Sequence, residues 1–255
     1  MFYKCLFLRT VGPGGSPDEN GETTIDAMVM NGVTMEVGAV AAMRYVSDGI
    51  KTARLVMQHT EHTLLVGEQA SRLAIYMGLP GHTNLSSEES IVASQIFGKM
   101  SYHFGLHNHD TIAMAVIDKK RLIAVGTSTN GATFKIPGSN PTLPMHFGDG
   151  PIAGSSAYAD TDVGACGASG DGDIMMRFLP CYQVVESLRL GMEPKLAAED
   201  AIARKYPDFV GGVFAVDKNG IHAGACHGWI FQYSVRSPDM ADVVVYTINP
   251  VKSTA

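Results

Sequence analysis

In the run His109-Asp110-Thr111, followed by Ile112-Ala113-Met114-Ala115-Val116-Ile117-Asp118, a hydroxyl-bearing residue stands where an apolar strand begins. Breaking the Asp110–Thr111 peptide bond would leave Thr111 with a free α-amino group beside its own hydroxyl, placing a nucleophile and its base on one residue. An α-amine has a reference pKa of about 7.7–8.0, against about 10.4 for lysine, so near neutral pH much of it can take up the hydroxyl proton. On the tripeptide alone, a threonine that merely opens a strand, as β-branched residues often do, is the favoured reading. Glycines cluster at Gly12-Pro13-Gly14-Gly15, Gly148-Asp149-Gly150 and Gly170-Asp171-Gly172, where backbone can approach a ligand closely.

The elements that must position these residues are read from periodicity. Ile25–Met30 reads as a strand that turns at Asn31-Gly32. From 34 to 78, apolar residues at Val37, Val40, Ala41, Met43 and Val46, and later at Leu55, Val56, Leu64, Leu65, Leu73, Ala74 and Met77, recur at spacings of three and four, which predicts two or three helices. After Gly78-Leu79-Pro80-Gly81 a polar stretch precedes a further helical pattern running to about Gly105. From Thr111 the pattern changes to short apolar runs at 111–118, 122–125, 213–216 and 243–246, with Lys119-Lys120 and Lys218-Asn219-Gly220 as hairpin turns. Ile174–Leu190 and Leu196–Lys205 read as helices, the first interrupted at Pro180, with Asp173 near its N-cap. The expected class is α/β, a layered arrangement with antiparallel sheet.

Composition narrows the function. The chain has 255 residues, 45% hydrophobic and 17% charged, which suits one packed domain rather than a disordered chain. A net charge of −6 with no long basic run argues against a nucleic-acid partner, and no apolar run approaches the roughly 20 residues that span a bilayer. Cys5, Cys166, Cys181 and Cys226 are too scattered for a structural zinc site. His103, His107, His109 and Asp110 crowd a short stretch but lack a complete ligand spacing, so no metal and no cofactor is expected. Asp171-Gly172-Asp173 lacks the later acids of a calcium loop, and Gly14-Gly15-Ser16 lacks the Lys-Ser/Thr of a phosphate loop.

Four blocks in order carry a family resemblance: His109-Asp110-Thr111-Ile112, Gly126-Thr127-Ser128-Thr129-Asn130-Gly131, Gly148-Asp149-Gly150-Pro151-Ile152, and Gly170-Asp171-Gly172-Asp173-Ile174 through Phe178-Leu179-Pro180. With the upstream Gly14-Gly15-Ser16-Pro17-Asp18-Glu19, the chain resembles the glycosylasparaginases, which are N-terminal-nucleophile hydrolases, from about residue 12 to at least 236. The resemblance implies a four-layer αββα sandwich made as a precursor that cuts itself. The Thr111 hydroxyl would attack the Asp110 carbonyl, leaving subunits 1–110 and 111–255 associated as a pair, with a dimer of such pairs left open. The implied substrate is the small-molecule conjugate N-acetylglucosaminyl-asparagine. By the same resemblance Thr111 is the nucleophile, Thr129 its hydroxyl partner, and Ser169 with the Gly170 N–H the oxyanion pair. Gly148, Asp149, Asp171, Gly172 and His146 line the substrate, Asp149 meeting its α-ammonium. The family is lysosomal, whereas this chain as written shows no export signal.

Two departures stand out. His146 takes the place of an expected arginine for the α-carboxylate, and histidine, with a reference pKa near 6.5, offers no permanent bidentate fork. That predicts carboxylate recognition that is weakened or favoured at acidic pH. Only Met1–Val11 stands before the glycine loop, where relatives carry a strand, a helix and a tryptophan; Trp229, the single tryptophan, is not assigned that role. A missing strand predicts an unpaired sheet edge with exposed apolar surface. Sister isoaspartyl peptidases and asparaginases share the threonine chemistry, and a catalytically silent relative is the remaining alternative.

Overall fold

A computed structural model of the chain describes residues 14–88, 91–92, 95, 111–132, 135–136, 147–203 and 209–250. Five strands, β1 (Ile25–Asn31), β2 (Val37–Met43), β3 (Leu64–Val66), β4 (Ile112–Ile117) and β5 (Ile123–Thr129), form one sheet in the order β3-β2-β1-β5-β4. Its pairings are antiparallel except β2 with β3. An antiparallel sheet of β6 (Ala157–Asp160), β7 (Gly164–Gly170), β8 (Gly211–Asp217) and β9 (His222–His227) follows in sequence order, and β10 (Phe231–Val235) pairs with β11 (Val244–Ile248). Helices α1 (Gly49–His59) and α2 (Glu68–Tyr76) lie against the first sheet. Helices α4 (Pro180–Arg189) and α5 (Pro194–Ala203) lie against the second, with α3 (Gly172–Phe178) leading into α4. No helix among the described residues is long and apolar enough to cross a membrane.

The mixed α/β class expected from sequence is therefore present, and the two-residue strand period explains how it packs. Along β1, Ile25 and Ala27 enter a cluster with Val40, Val56, Ala70 and Ala74 beneath α1 and α2. The alternate residues Met28 and Met30 enter a second cluster with Ile123, Val125, Ala157, Ala159 and Ala165, between the two sheets. A third cluster seats Val184, Val185, Ala197 and Ala201 on Cys166, Ala168, Val213 and Ala215.

This double burial also explains an error of the sequence reading. Val37–Met43 is a strand, not part of a helix, and the described residues 14–88 hold three strands. All but one of its seven residues are buried, so apolar side chains occur on both faces and a spacing of three arises without a helix. Strands β6, β7 and β9 were also missed, because their glycine, alanine and serine residues carry little apolar signal. The turns at Asn31-Gly32, Lys119-Lys120 and 218–220, strands β4, β5, β8 and β11, and the break at Pro180 are as expected. Leu179 adopts the left-handed region (φ 51°) and Pro180 starts α4. The cap of α3 is Asp171, which accepts from the Ile174 N–H at 3.2 Å, and Asp173 stands in the first turn next to it, as expected. The helix expected up to Gly105 lies almost wholly outside the described residues.

Strand β4 is at the edge of its sheet among the described residues and exposes Ile112 (57%), Met114 (61%) and Val116 (47%) on one face. Its other face, through Ala115 and Ile117, packs toward the second sheet.

Candidate active site

The ends of four antiparallel strands meet here. β4 begins at Ile112 beside Ser128 near the end of β5, and β7 ends at Gly170 beside Gly211 at the start of β8. This register carries Thr111, one residue before β4, to the finishing end of β7. There the Thr111 backbone N–H donates to Ser169 Oγ at 2.9 Å. Thr111 and Ser169 are 58 positions apart in sequence, so the tertiary fold alone makes this contact. Accepting a hydrogen bond uses a lone pair of the serine oxygen and not its own hydrogen, so the same hydroxyl has the capacity to donate.

Gly170 follows Ser169 in a place where only hydrogen fits. A Cβ there would lie 2.5 Å from Gly211 Cα and 2.6 Å from the Val210 carbonyl oxygen. Next in the chain, the Asp171 N–H donates to the Val210 carbonyl at 2.8 Å, and the Asp171 side chain caps α3. Asp171 thereby serves helix geometry, whatever else it touches. Gly172 lets a carboxylate approach: a Cβ on it would sit 2.6 Å from Asp149 Oδ1.

Thr129 ends β5, is buried, and pairs with Asp26 of β1. Its hydroxyl oxygen accepts from the Gly131 N–H at 3.0 Å, which sets the turn after the strand. Gly150 packs so closely that a Cβ there would lie 2.7 Å from Thr129 Cγ2, and Thr127 Oγ1 donates to the Gly150 carbonyl at 2.5 Å. The loop carrying Gly148 and Asp149 is thus tied to the end of β5. Of the residues singled out from sequence, Thr111, Thr129, Gly148, Asp149, Ser169, Gly170, Asp171 and Gly172 converge on this end of the two sheets. Asp110 and His146, with His103, His107 and His109, lie outside the described residues.

Asp149 is 5% exposed. Its Oδ2 accepts from Ser155 Oγ at 3.1 Å and from Ser156 Oγ through a shorter bond. Burial raises its pKa to about 6, against the lowering effect of the two hydroxyls. The site accordingly holds a carboxylate that is ionised above about pH 6 and faces Gly172.

Sequence reasoning missed the groups that fix this geometry. Asp26 is wholly buried and accepts from the Ala42 N–H at 2.7 Å and the Gly148 N–H at 2.6 Å, joining β2 to the Asp149 loop. A signal was present, since a carboxylate inside the apolar run Ile25–Met30 is costly unless satisfied. Lys135 is buried and donates from Nζ to the carbonyls of Ser16 (3.3 Å), Asn130 (2.5 Å) and Ala132 (3.0 Å). Burial lowers its pKa to about 8, with the charges of Asp26 and Asp18 acting in the opposite direction. It pins the glycine loop expected at 14–19 to the turn after Thr129. Ser155 and Ser156 had no signal beyond composition.

Comparison with known proteins shows the family of the chain. The family model described as "Asparaginase" matches residues 3–244. An Arabidopsis thaliana protein named "Probable isoaspartyl peptidase/L-asparaginase 3" is 59% identical over 297 residues, covering 96% of this chain and 81% of the relative. A Drosophila yakuba protein named "Putative N(4)-(beta-N-acetylglucosaminyl)-L-asparaginase" is 44% identical over 279 residues, covering 92% of this chain and 69% of that one. The mouse protein named N(4)-(beta-N-acetylglucosaminyl)-L-asparaginase is 41% identical over 254 residues, covering 86% and 71%. With a family match across nearly the whole chain and relatives at this identity, the chain belongs to the asparaginase family of hydrolases.

Proposed function

We propose that this chain is a threonine amidohydrolase that cleaves itself before Thr111 and then hydrolyses the amide joining N-acetylglucosamine to the asparagine side chain. The observation that carries the reading is the 2.9 Å bond from the Thr111 N–H to Ser169 Oγ, because it sets the future α-amine and the oxyanion donors side by side. In self-cleavage the Thr111 Oγ1 attacks the Asp110 carbonyl carbon, the C–N bond breaks with its proton returning to the Thr111 nitrogen, and water then hydrolyses the ester. In turnover the α-amine takes the Thr111 hydroxyl proton as Oγ1 attacks the substrate amide carbon, and it gives that proton to the departing amine. The tetrahedral oxygen accepts from the Ser169 hydroxyl and the Gly170 N–H. Water repeats the sequence on the acyl ester and releases aspartate.

Asp149 receives the substrate's α-ammonium. The cut chain stays together as subunits 1–110 and 111–255 in a four-layer αββα sandwich, since β4 of the second part is hydrogen-bonded into a sheet whose β1–β3 come from the first. Lysosomal residence and a dimer of these pairs belong to the same reading. Removing one oxyanion donor should cost about 10²–10³ in kcat. Ser169→Ala is expected to show that loss in steady-state kinetics, with Ser169→Thr close to wild type; an unchanged Ser169→Ala rate removes Ser169 from this role.

A second reading, isoaspartyl peptidase or L-asparaginase, is favoured by the name of the relative at 59% identity. One experiment separates the two: purified protein is assayed against N-acetylglucosaminyl-asparagine, a β-aspartyl dipeptide and asparagine, after mass spectrometry for a fragment beginning Thr111-Ile112-Ala113. Turnover of the sugar conjugate upholds the first reading, and turnover confined to the dipeptide or asparagine upholds the second. Folded protein with no such fragment and no turnover ends both.

A further inference from the structure

Asp149 is held in an unusual way for a carboxylate that is to receive a ligand. Oδ2 takes hydrogen bonds from two neighbouring serine hydroxyls, Ser155 and Ser156, both 0% exposed. Oδ1 faces Gly172 at the start of α3, where a side chain would meet it at 2.6 Å and its absence leaves room for that oxygen. The serines sit in a tight turn: the Ile152 N–H donates to the Asp149 carbonyl at 2.9 Å and the Ser155 N–H to the Ile152 carbonyl at 3.1 Å. The Ser156 carbonyl accepts from the Ala168 N–H of β7 at 2.7 Å, which fixes the turn to the strand bearing Ser169. A hydroxyl has one hydrogen to give, and here both hydrogens point at the same carboxylate oxygen.

We propose that Ser155 and Ser156 are positioning residues that occupy Asp149 Oδ2 and keep the carboxylate ionised, so that Oδ1 alone takes the ligand's ammonium in a single-point contact. This rests on the reading of Asp149 as the ammonium site. The physical reason is that an isolated carboxylate in an apolar pocket becomes neutral, and a neutral acid does not hold an ammonium group. Two donors on one oxygen stabilise the anion while leaving the other oxygen for the ligand. The titratable groups facing Asp149 do not replace them. Asp26, which binds the neighbouring Gly148 N–H, is another acid, and its charge acts against ionisation of Asp149. Cys181 of α4 is a buried thiol whose pKa is pushed up, first by desolvation, so it is uncharged.

Because burial already raises the Asp149 pKa to about 6, ammonium binding is present above that value and lost below it. Losing hydroxyl donors raises the midpoint further. With both hydroxyl donors gone, the Ser155→Ala/Ser156→Ala double variant should move it up by about one to two pH units in all, less than two full charge-assisted bonds because water takes over part of their role. At pH 7 that corresponds to a roughly two- to tenfold loss of affinity for an amino acid ligand.

The test uses the full chain and two probes of the same length, L-aspartate and succinate, which differ by the ammonium group. Calorimetric titration from pH 5 to 8 gives their affinities, and carboxyl ¹³C NMR, with Asp149→Asn for assignment, gives the Asp149 midpoint. The expected result is a raised midpoint in the double variant, a smaller rise in Ser155→Ala, and loss of aspartate affinity at pH 7 with succinate unchanged. Thr127→Ala loosens the same loop at Gly150 without touching the carboxylate and should leave the midpoint where it is. An unmoved Asp149 midpoint in the double variant overturns the serine proposal by itself. Equal affinity of the unmodified protein for aspartate and succinate, insensitive to Asp149→Asn, overturns instead the ammonium reading, and the NMR midpoint keeps the two failures apart.

Discussion

Thr111→Ala should remain a single chain of 27.2 kDa on a denaturing gel and should lose turnover by about 10³–10⁶-fold, the range seen when the nucleophile of a covalent hydrolase is removed. The size of the effect comes from concentrating two functions on one residue. A separate base would survive loss of the hydroxyl, but in the proposed mechanism the attacking oxygen is gone and the amine that would accept its proton is never released. The change should be nearly silent for stability, because Thr111 is only partly buried and the strand that follows is unchanged. Thr111→Ser keeps oxygen and amine and should still cleave, though with a rotamer less restricted than that of a β-branched side chain. A normally cleaved and active Thr111→Ala protein would place the chemistry on another residue. Circular dichroism alongside the gel separates lost chemistry from lost fold.

The second large effect belongs to a residue with no side chain. In Gly170→Ala the new methyl meets Gly211 Cα at 2.5 Å and the Val210 carbonyl at 2.6 Å, both backbone atoms of the partner chain segment. A flexible side chain could turn away, but a paired strand cannot, so β7 and β8 must separate at the point where they are hydrogen-bonded. Overpacking of this kind costs about 1–3 kcal/mol, and the upper end applies where nothing can rotate. For a domain of this size that is a melting temperature lower by roughly 6–12 °C. In the proposed mechanism the Gly170 N–H is one of two oxyanion donors, and moving it, with Ser169 beside it, gives an expected rate loss of at least about 10² even in the folded fraction. Differential scanning calorimetry and kinetics on soluble protein check both parts. An unchanged melting temperature would mean that the strands have more freedom here than the contact distances allow.

These two residues differ in how far they could be read without the fold. Thr111 announces itself, since a hydroxyl between a polar segment and an apolar run combines a strand signal with a nucleophile. The glycine-flanked blocks around Asp149 and Gly170 are also legible, because glycine clusters mark places where backbone must come close. Asp26 was overlooked although a buried acid in an apolar strand is a physical anomaly. Ser155, Ser156 and Lys135 could not have been recognised: their importance lies in what their hydroxyl and ammonium hydrogens reach, and the partners are carbonyls and a carboxylate that composition does not locate. The mistaken helix at Val37–Met43 has a related origin. Periodicity reports the face that is buried, and a strand covered by helices on one side and a sheet on the other has no exposed face to report.

What the amino-acid order determined by itself was the nucleophile candidate at Thr111, the glycine positions, the hairpin turns and the α/β class, because each depends on residue type and short-range spacing; Asp149 came with the family resemblance. What the tertiary structure decided was the meeting of Thr111 with Ser169 across 58 positions, the seating of Asp149 against Gly172, and the two serine hydroxyls on one carboxylate oxygen. Hydrogen bonds and excluded volume act over a few ångströms in space, and only the register of paired strands converts distant positions along the chain into such distances.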